Sequence, residues 1–178
     1  MRIEPVQRVL DALPALYALI GAHAMAVRGY PRFTVDVDLL TADDRVLAPA
    51  IWRDLEREGA RVDPRRGDVD DPLGGVVHIL LADGTDVDLV VARWEWQAAL
   101  IDRAEPVPIG GGAVRVPCTS DLILLKLAAG GYADLQDAAA LLSVGDPETV
   151  VREVEAHIGD VRPDVSPLWR DLLAAHRR

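Results

Sequence analysis

Three residue classes are scarce in this chain of 178 residues: cysteine, lysine and aromatics. Cysteine occurs once, as Cys118, so no disulfide can form within the chain, and a scaffold stapled by internal disulfides is excluded. His23, His78, His157 and His176 show no ligand spacing with that cysteine, which argues against a zinc site. The 4 Trp, 3 Tyr and 1 Phe are scattered and lie in no basic stripe, so they do not read as a platform for stacking bases. Trp52, Trp94, Trp96 and Trp169 are expected to pack instead. A formal net charge of -10 opposes broad binding to duplex nucleic acid, which is driven by phosphate neutralisation. Long apolar runs are also missing. Asp11 and Pro14 interrupt the stretch from Val9 to Val27, and no segment reaches the ~18 apolar residues that span a bilayer. A signal peptide cleaved near Ala22-His23-Ala24 is therefore set aside, and with a lone thiol the expected compartment is the cytoplasm.

What is present is ample material for one core: 50% of the residues are hydrophobic and 27% charged. Residues 4 to 13 read as a helix with Val6, Val9, Leu10 and Leu13 on one stripe, ended by Pro14. Tyr17 to Ile20, then Gly21, then His23 to Val27 reads as strand, tight turn and helix. Val35 to Thr41 is expected to be a strand, Arg45 to Glu58 an amphipathic helix with Leu47, Ile51 and Leu55 on one side, and Pro64 to Gly75 a mobile loop. Val76 to Leu81 and Thr85 to Val91 flank Asp83-Gly84, a strong hairpin signal. Trp94 to Ala104 reads as helix, and short strand-like pieces surround Gly110-Gly111-Gly112. Beyond Pro117 the pattern turns helical: a helix capped by Thr119 or Ser120 runs to Ala129, with others near 133 to 143, 147 to 158 and 167 to 176. The expected architecture is α/β (α+β): a mixed sheet with flanking helices over residues 1–117, and a helical region over residues 118–178 packed on it.

The chemistry concentrates in acids at strand spacing. Asp36 and Asp38 are two apart, so a strand points both to one face, where their repulsion calls for a cation. Oxygen donors of this kind suit Mg²⁺, which keeps waters and substrate phosphates as its other ligands. Asp86-Val87-Asp88 repeats the pattern on a second strand. If the two strands are neighbours, three carboxylates converge as a nucleotidyl-transfer site requires. The alternative is a pair of strands bearing exposed acids that discourage aggregation. Gly21-Ala22 opens a helix whose backbone N–H groups can meet phosphate, while Arg28 and Arg32 flank the loop that follows and can contact phosphate or solvent. Lys126 is the one lysine among 19 basic residues; it reads either as a point charge for a phosphate or as a partner of Asp134 or Asp137.

Taken in order, these pieces resemble a known family. Gly21-Ala22 followed by Tyr30-Pro31-Arg32-Phe33-Thr34-Val35-Asp36-Val37-Asp38-Leu39-Leu40 looks like the first motif of the polymerase-β-like nucleotidyltransferase superfamily, and within it is most similar to AbiEii-type bacterial proteins, some of which are toxins of toxin–antitoxin systems. Asp86 to Val91 resembles the strand carrying the third carboxylate, with Asp88 the better match of its two acids. Asp121 to Gly130, with Asp134-Leu135-Gln136-Asp137, is similar to the helical motif that follows, so the resemblance covers residues 15 to 142.

The resemblance implies a nucleotidyltransferase fold and an enzyme that moves a nucleoside monophosphate from an NTP to an acceptor hydroxyl on an RNA end, a protein or a small molecule. It further implies Mg²⁺ or Mn²⁺ at Asp36, Asp38 and Asp88, phosphate contacts from Gly21, Ala22 and Arg32, charge neutralisation by Lys126, and an antitoxin protein as a partner. Two positions depart from the pattern. Ala22 stands where many members have Ser, and Gly131 where relatives commonly place Arg. Both departures keep a second reading open, a noncatalytic nucleotide-sensing or partner-binding module on the same fold.

Overall fold

A computed structural model of the chain describes residues 3–109 and 112–176. It forms two compact units: one takes the chain through His23 and resumes from Arg32 to Pro117, and the other comprises Ala24–Pro31 and the chain from Cys118 onward.

The first unit begins with helix α1 (Glu4–Asp11), where Pro5 sits in the first turn and its missing N–H leaves no bond unmade. Val6 and Leu10 are its buried residues, and the helix stops short of the expected residue 13. Tyr17 on strand β1 (Tyr17–Leu19) ties this helix down: its hydroxyl donates to Asp11 Oδ1 at 3.0 Å and accepts from Gln7 Nε2 at 3.2 Å. Burial, with help from Asp11, pushes the Tyr17 pKa up to about 12, while Gln7 works the other way. Helix α2 (Gly21–Val27) and strand β2 (Asp36–Thr41) follow.

The amphipathic helix expected over residues 45 to 58 is broken. Two short 3₁₀ turns, Asp44–Leu47 and Pro49–Trp52, precede helix α3 (Arg53–Arg57). Pro49 is the cause. A proline ring drives the residue before it out of the helical region, and Ala48 is extended at φ -85° and ψ 117°. Buried Trp52 still anchors the segment by donating Nε1–H to the Val46 carbonyl at 2.7 Å. The mobile loop expected from Pro64 also needs correction, since Arg61–Arg66 is strand β3, paired antiparallel with β4 (Gly75–Leu80). Because β3 lies at the sheet edge, Pro64 can turn its missing donor outward and break no ladder bond.

Strand β5 (Asp86–Val91) completes the expected hairpin through a turn in which Gly84 takes φ +87°. Helix α4 (Glu95–Arg103) is capped by buried Gln97, whose Oε1 accepts the Arg93 and Trp94 N–H groups at 2.8 and 3.1 Å. Strands β6 (Glu105–Ile109) and β7 (Gly112–Val116) pair antiparallel; Gly110 and Gly111 lie outside the described residues. Seven strands form one sheet in the order β3-β4-β5-β2-β1-β7-β6. The pairs β2 with β5 and β1 with β7 are parallel and the others antiparallel, which makes the sheet mixed. One face of its central strands is sealed by Val37, Leu39, Val77, Ile79, Val87 and Leu89.

The second unit is helical: α5 (Thr119–Ala129), α6 (Tyr132–Leu142), α7 (Pro147–His157) and α8 (Val165–His176). Gly130, at φ +69°, ends α5 in the left-handed conformation that closes a helix. The residue preceding α5 is Cys118, and Ser120, expected as its cap, instead donates to Glu153 Oε2 on α7 at 2.8 Å. Burial raises the Cys118 thiol pKa, consistent with a packed and unreactive group.

Candidate active site

Parallel pairing of β2 with β5 sets Asp36 beside Asp86 and Asp38 beside Asp88. Strand alternation then separates the faces: Val37, Leu39, Val87 and Leu89 point into the core, while Asp36 and Asp86 are exposed and Asp38 and Asp88 half-buried on the opposite side. Neighbouring strands run ~4.8 Å apart, so Asp38 and Asp88 are direct neighbours, with Asp36 one same-face step, ~7 Å, along β2. The antiparallel hairpin continues the row to His78 on β4 and Asp63 on β3.

Asp88 and Asp86 differ in what stands across from them. Asp88 faces His78, whose Nδ1 lies 2.5 Å from Asp88 Oδ1, whereas Asp86 faces Leu80. Asp63 is held by its own strand, accepting from Arg65 Nε at 2.9 Å and Nη2 at 2.7 Å on Oδ2. Spacing to Cys118 gives no sign of this role for His78. Counting back from the Asp83-Gly84 turn, which pairs Leu80 with Asp86, would have placed it opposite Asp88.

Gly21, the first residue of α2, abuts the same row. The Ile20 N–H donates to the Asp38 carbonyl at 2.9 Å, drawing the turn against β2. A Cβ built on Gly21 would stand 1.9 Å from Asp38 Oδ2 and 2.7 Å from its Cγ, and the residue has φ +62°. Only glycine satisfies both conditions. Ala22 as a whole is 5% exposed and its side chain carries no polar group, so anything it offers a phosphate comes from its backbone. Arg32 is exposed on the segment entering β2, where Thr34 Oγ1 accepts the Asp36 N–H at 3.3 Å.

Lys126 lies in the helical unit, 17% exposed, with Nζ 2.8 Å from Asp134 Oδ1 and 2.9 Å from Asp137 Oδ2. Burial disfavours its charge, yet the hydrogen bonds and charges of Asp134 and Asp137 outweigh that effect and raise its pKa. Gly131 belongs to this arrangement: a Cβ there would sit 2.8 Å from Asp134 Oδ2, so glycine leaves room for the acid that holds Lys126.

Among the described residues, no group of three or more His, Cys, Asp or Glu side chains is drawn together in a metal-holding arrangement. The acids stand side by side along two strands, and Asp88 is engaged by His78. In kind they suit a hard divalent cation, being carboxylate oxygens on an open sheet face beside a glycine that supplies no side chain.

No family model matches the sequence, and no curated protein does. Solved structures do resemble it. The solution structure of the antibiotic-resistance factor ANT(2'')-Ia matches with a TM-score of 0.56 at 18% identity, over 88% of this chain and 89% of that one. The crystal structure of ANT(2'')-Ia in complex with adenylyl-2''-tobramycin matches with a TM-score of 0.55 at 17% identity, over 88% and 95%. An antigenic nucleotidyltransferase-like protein from Paracoccidioides brasiliensis matches with a TM-score of 0.51 at 21% identity, over 94% and 90%. At these identities the likeness establishes architecture: the chain has the nucleotidyltransferase fold. No described helix is long and apolar enough to cross a membrane.

Proposed function

We propose that the chain is a Mg²⁺-dependent nucleotidyltransferase, with Mn²⁺ able to substitute, that transfers a nucleoside monophosphate from an NTP to an acceptor hydroxyl. The observation that carries this reading is the in-register placement of Asp38 beside Asp88 on parallel strands of a nucleotidyltransferase fold, with Gly21 bare against Asp38. Asp36, Asp38 and Asp88 would hold the cation, which when bound offsets phosphate charge and acidifies the acceptor hydroxyl. The acceptor oxygen bonds to the α-phosphorus as the α–β bridging P–O bond breaks, and pyrophosphate departs with that oxygen. Asp88 has Oδ1 engaged by His78, so Oδ2 is the atom placed to receive the hydroxyl proton. Backbone N–H groups at Gly21 and Ala22, with Arg32, would meet the triphosphate. Lys126 is a further candidate for charge neutralisation, although its ammonium is already matched by two carboxylates.

The motif resemblance to AbiEii-type proteins supports a toxin-like member working in the cytoplasm with an antitoxin partner. RNA ends, proteins and small hydroxylated molecules are the acceptor classes to test. ANT(2'')-Ia, seen with adenylyl-2''-tobramycin, represents the last of these. The deciding experiment offers labelled NTPs and Mg²⁺ with each acceptor class to the parent chain and to Asp36→Ala. Label should move with the parent and fall at least ~100-fold with the variant; NTP-dependent labelling that survives Asp36→Ala refutes the assignment.

A noncatalytic nucleotide sensor is the second reading, favoured by the double pairing of Lys126 and by Asp134 occupying the space beside Gly131. Calorimetry separates the two, since a sensor binds an NTP with Mg²⁺ yet labels no acceptor.

A further inference from the structure

We infer that His78 is a positioning residue for Asp88: its Nδ1–H holds one carboxylate oxygen so that the other is presented to the acceptor. The inference rests on the reading of Asp88 as the third carboxylate.

The sheet explains why this histidine has that task. Antiparallel register sets His78 directly opposite Asp88, where side chains approach to ~5 Å at Cβ. On its other side stands Asp63, whose Oδ2 is taken twice by Arg65. The imidazole therefore turns to Asp88, at 2.5 Å between Nδ1 and Oδ1. Both side chains keep contact with solvent, His78 at 44% exposure and Asp88 at 36%. A half-exposed aspartate without a neighbour would sample several rotamers, and a hydrogen bond to one oxygen removes that freedom at the atom that must face a substrate. Asp86, one same-face step away, stands opposite Leu80, whose side chain has no donor to hold it. The pair thus distinguishes the two acids of β5 on physical grounds. Neutral imidazole carries one N–H, so donation from Nδ1 leaves Nε2 as an acceptor at the exposed edge of the ring. His78 also lines a groove of about 270 Å³ together with Arg61, Val62, Asp63, Leu80 and Asp86.

Two measurements on the full chain test the inference. Imidazole ¹⁵N spectra at about pH 9, well above the ordinary histidine range, should show His78 as the Nδ1–H tautomer, reverting to Nε2–H in Asp88→Ala. An Nε2–H tautomer in the parent overturns the proposal whether or not the protein is an enzyme. In kinetics, His78→Ala should lower kcat by about 10- to 100-fold and leave the KM for NTP unchanged, as expected for a residue acting through a ligand. His78→Asn, whose amide N–H stands near the Nδ1 position, should recover most of the loss; His78→Gln, whose amide reaches the Nε2 position, should not. Rescue by Gln and not Asn, or a rise in KM with kcat intact, overturns it. Circular dichroism on each variant separates loss of fold from loss of positioning, and His78→Asn carries the test if His78→Ala unfolds. A parent that transfers no label refutes the proposed function, and the tautomer then decides the His78–Asp88 pair alone.

Discussion

Gly21 offers the sharpest quantitative test, because two separable penalties meet at one position. An alanine there must adopt φ +62°, and its Cβ would stand 1.9 Å from Asp38 Oδ2. The backbone term alone is about 1–2 kcal/mol for an L residue in the left-handed region. The contact is far inside van der Waals distance, so Asp38 must leave its rotamer or the turn must shift, adding about 1–3 kcal/mol. Gly84 supplies the control: it has φ +87°, and an added Cβ meets nothing within 4 Å. Urea denaturation should therefore show Gly84→Ala losing about 1–2 kcal/mol and Gly21→Ala losing about 2–5 kcal/mol. A double-mutant cycle isolates the contact. In an Asp38→Ala background the carboxylate is gone and only the Cβ contact at 3.0 Å remains, so the cost of Gly21→Ala should fall toward that seen at Gly84, a coupling of about 1–3 kcal/mol. Equal losses at the two glycines, or a coupling near zero, would show that Gly21 does not abut Asp38 and would remove the structural support for a phosphate-binding turn beside the acids. Nucleotide transfer should be lost in Gly21→Ala even under conditions where the variant is fully folded.

Other perturbations follow from the buried charges. Lys126→Met leaves Asp134 and Asp137 without their cation, Asp137 being 7% exposed, and should destabilise by about 3 kcal/mol in thermal or chemical unfolding; adding Asp134→Asn and Asp137→Asn should return much of it. The raised pKa of Lys126 means its contribution, present at neutral pH and up to the ordinary lysine range, is lost as pH rises through its elevated native value, so parent and variant melting curves should converge in strong alkali. Asp43 has the opposite sign. Hydrogen bonds from Arg45 hold its carboxyl below the usual range, against the effect of burial, so its stabilisation is present above that range and is lost as pH falls through the lowered native value. Asp43→Asn should lose less stability on acidification than the parent, and parallel acid limbs would refute the assignment.

Much of the candidate site was readable before any coordinates. Period-two alternation put Asp36 with Asp38, and Asp86 with Asp88, each pair on one face, and the Asp83-Gly84 turn announced the hairpin that carries the second pair. Misreadings arose where a local rule competed with the expected pattern. Apolar spacing from Leu47 to Leu55 suggested one helix, but Pro49 broke it into turns. Pro64 and the charges around it suggested a loop, but an edge strand tolerates a proline because one side of its backbone needs no partner.

The sequence by itself determined the acid pairs, the glycine before the first helix of the motif, the helical character of the chain after Pro117, and the lone lysine with its two acidic neighbours. These are local properties, set by side-chain period, turn chemistry and composition. Tertiary structure alone decided that β2 and β5 are adjacent and parallel, because two other strands separate them along the chain and no local signal reports such a pairing. That adjacency places Asp38 beside Asp88, and the hairpin register then brings His78 to the third acid. It was also packing that made Gly21 irreplaceable, since the carboxylate its missing side chain accommodates lies across the β1–β2 pairing rather than next to it in sequence.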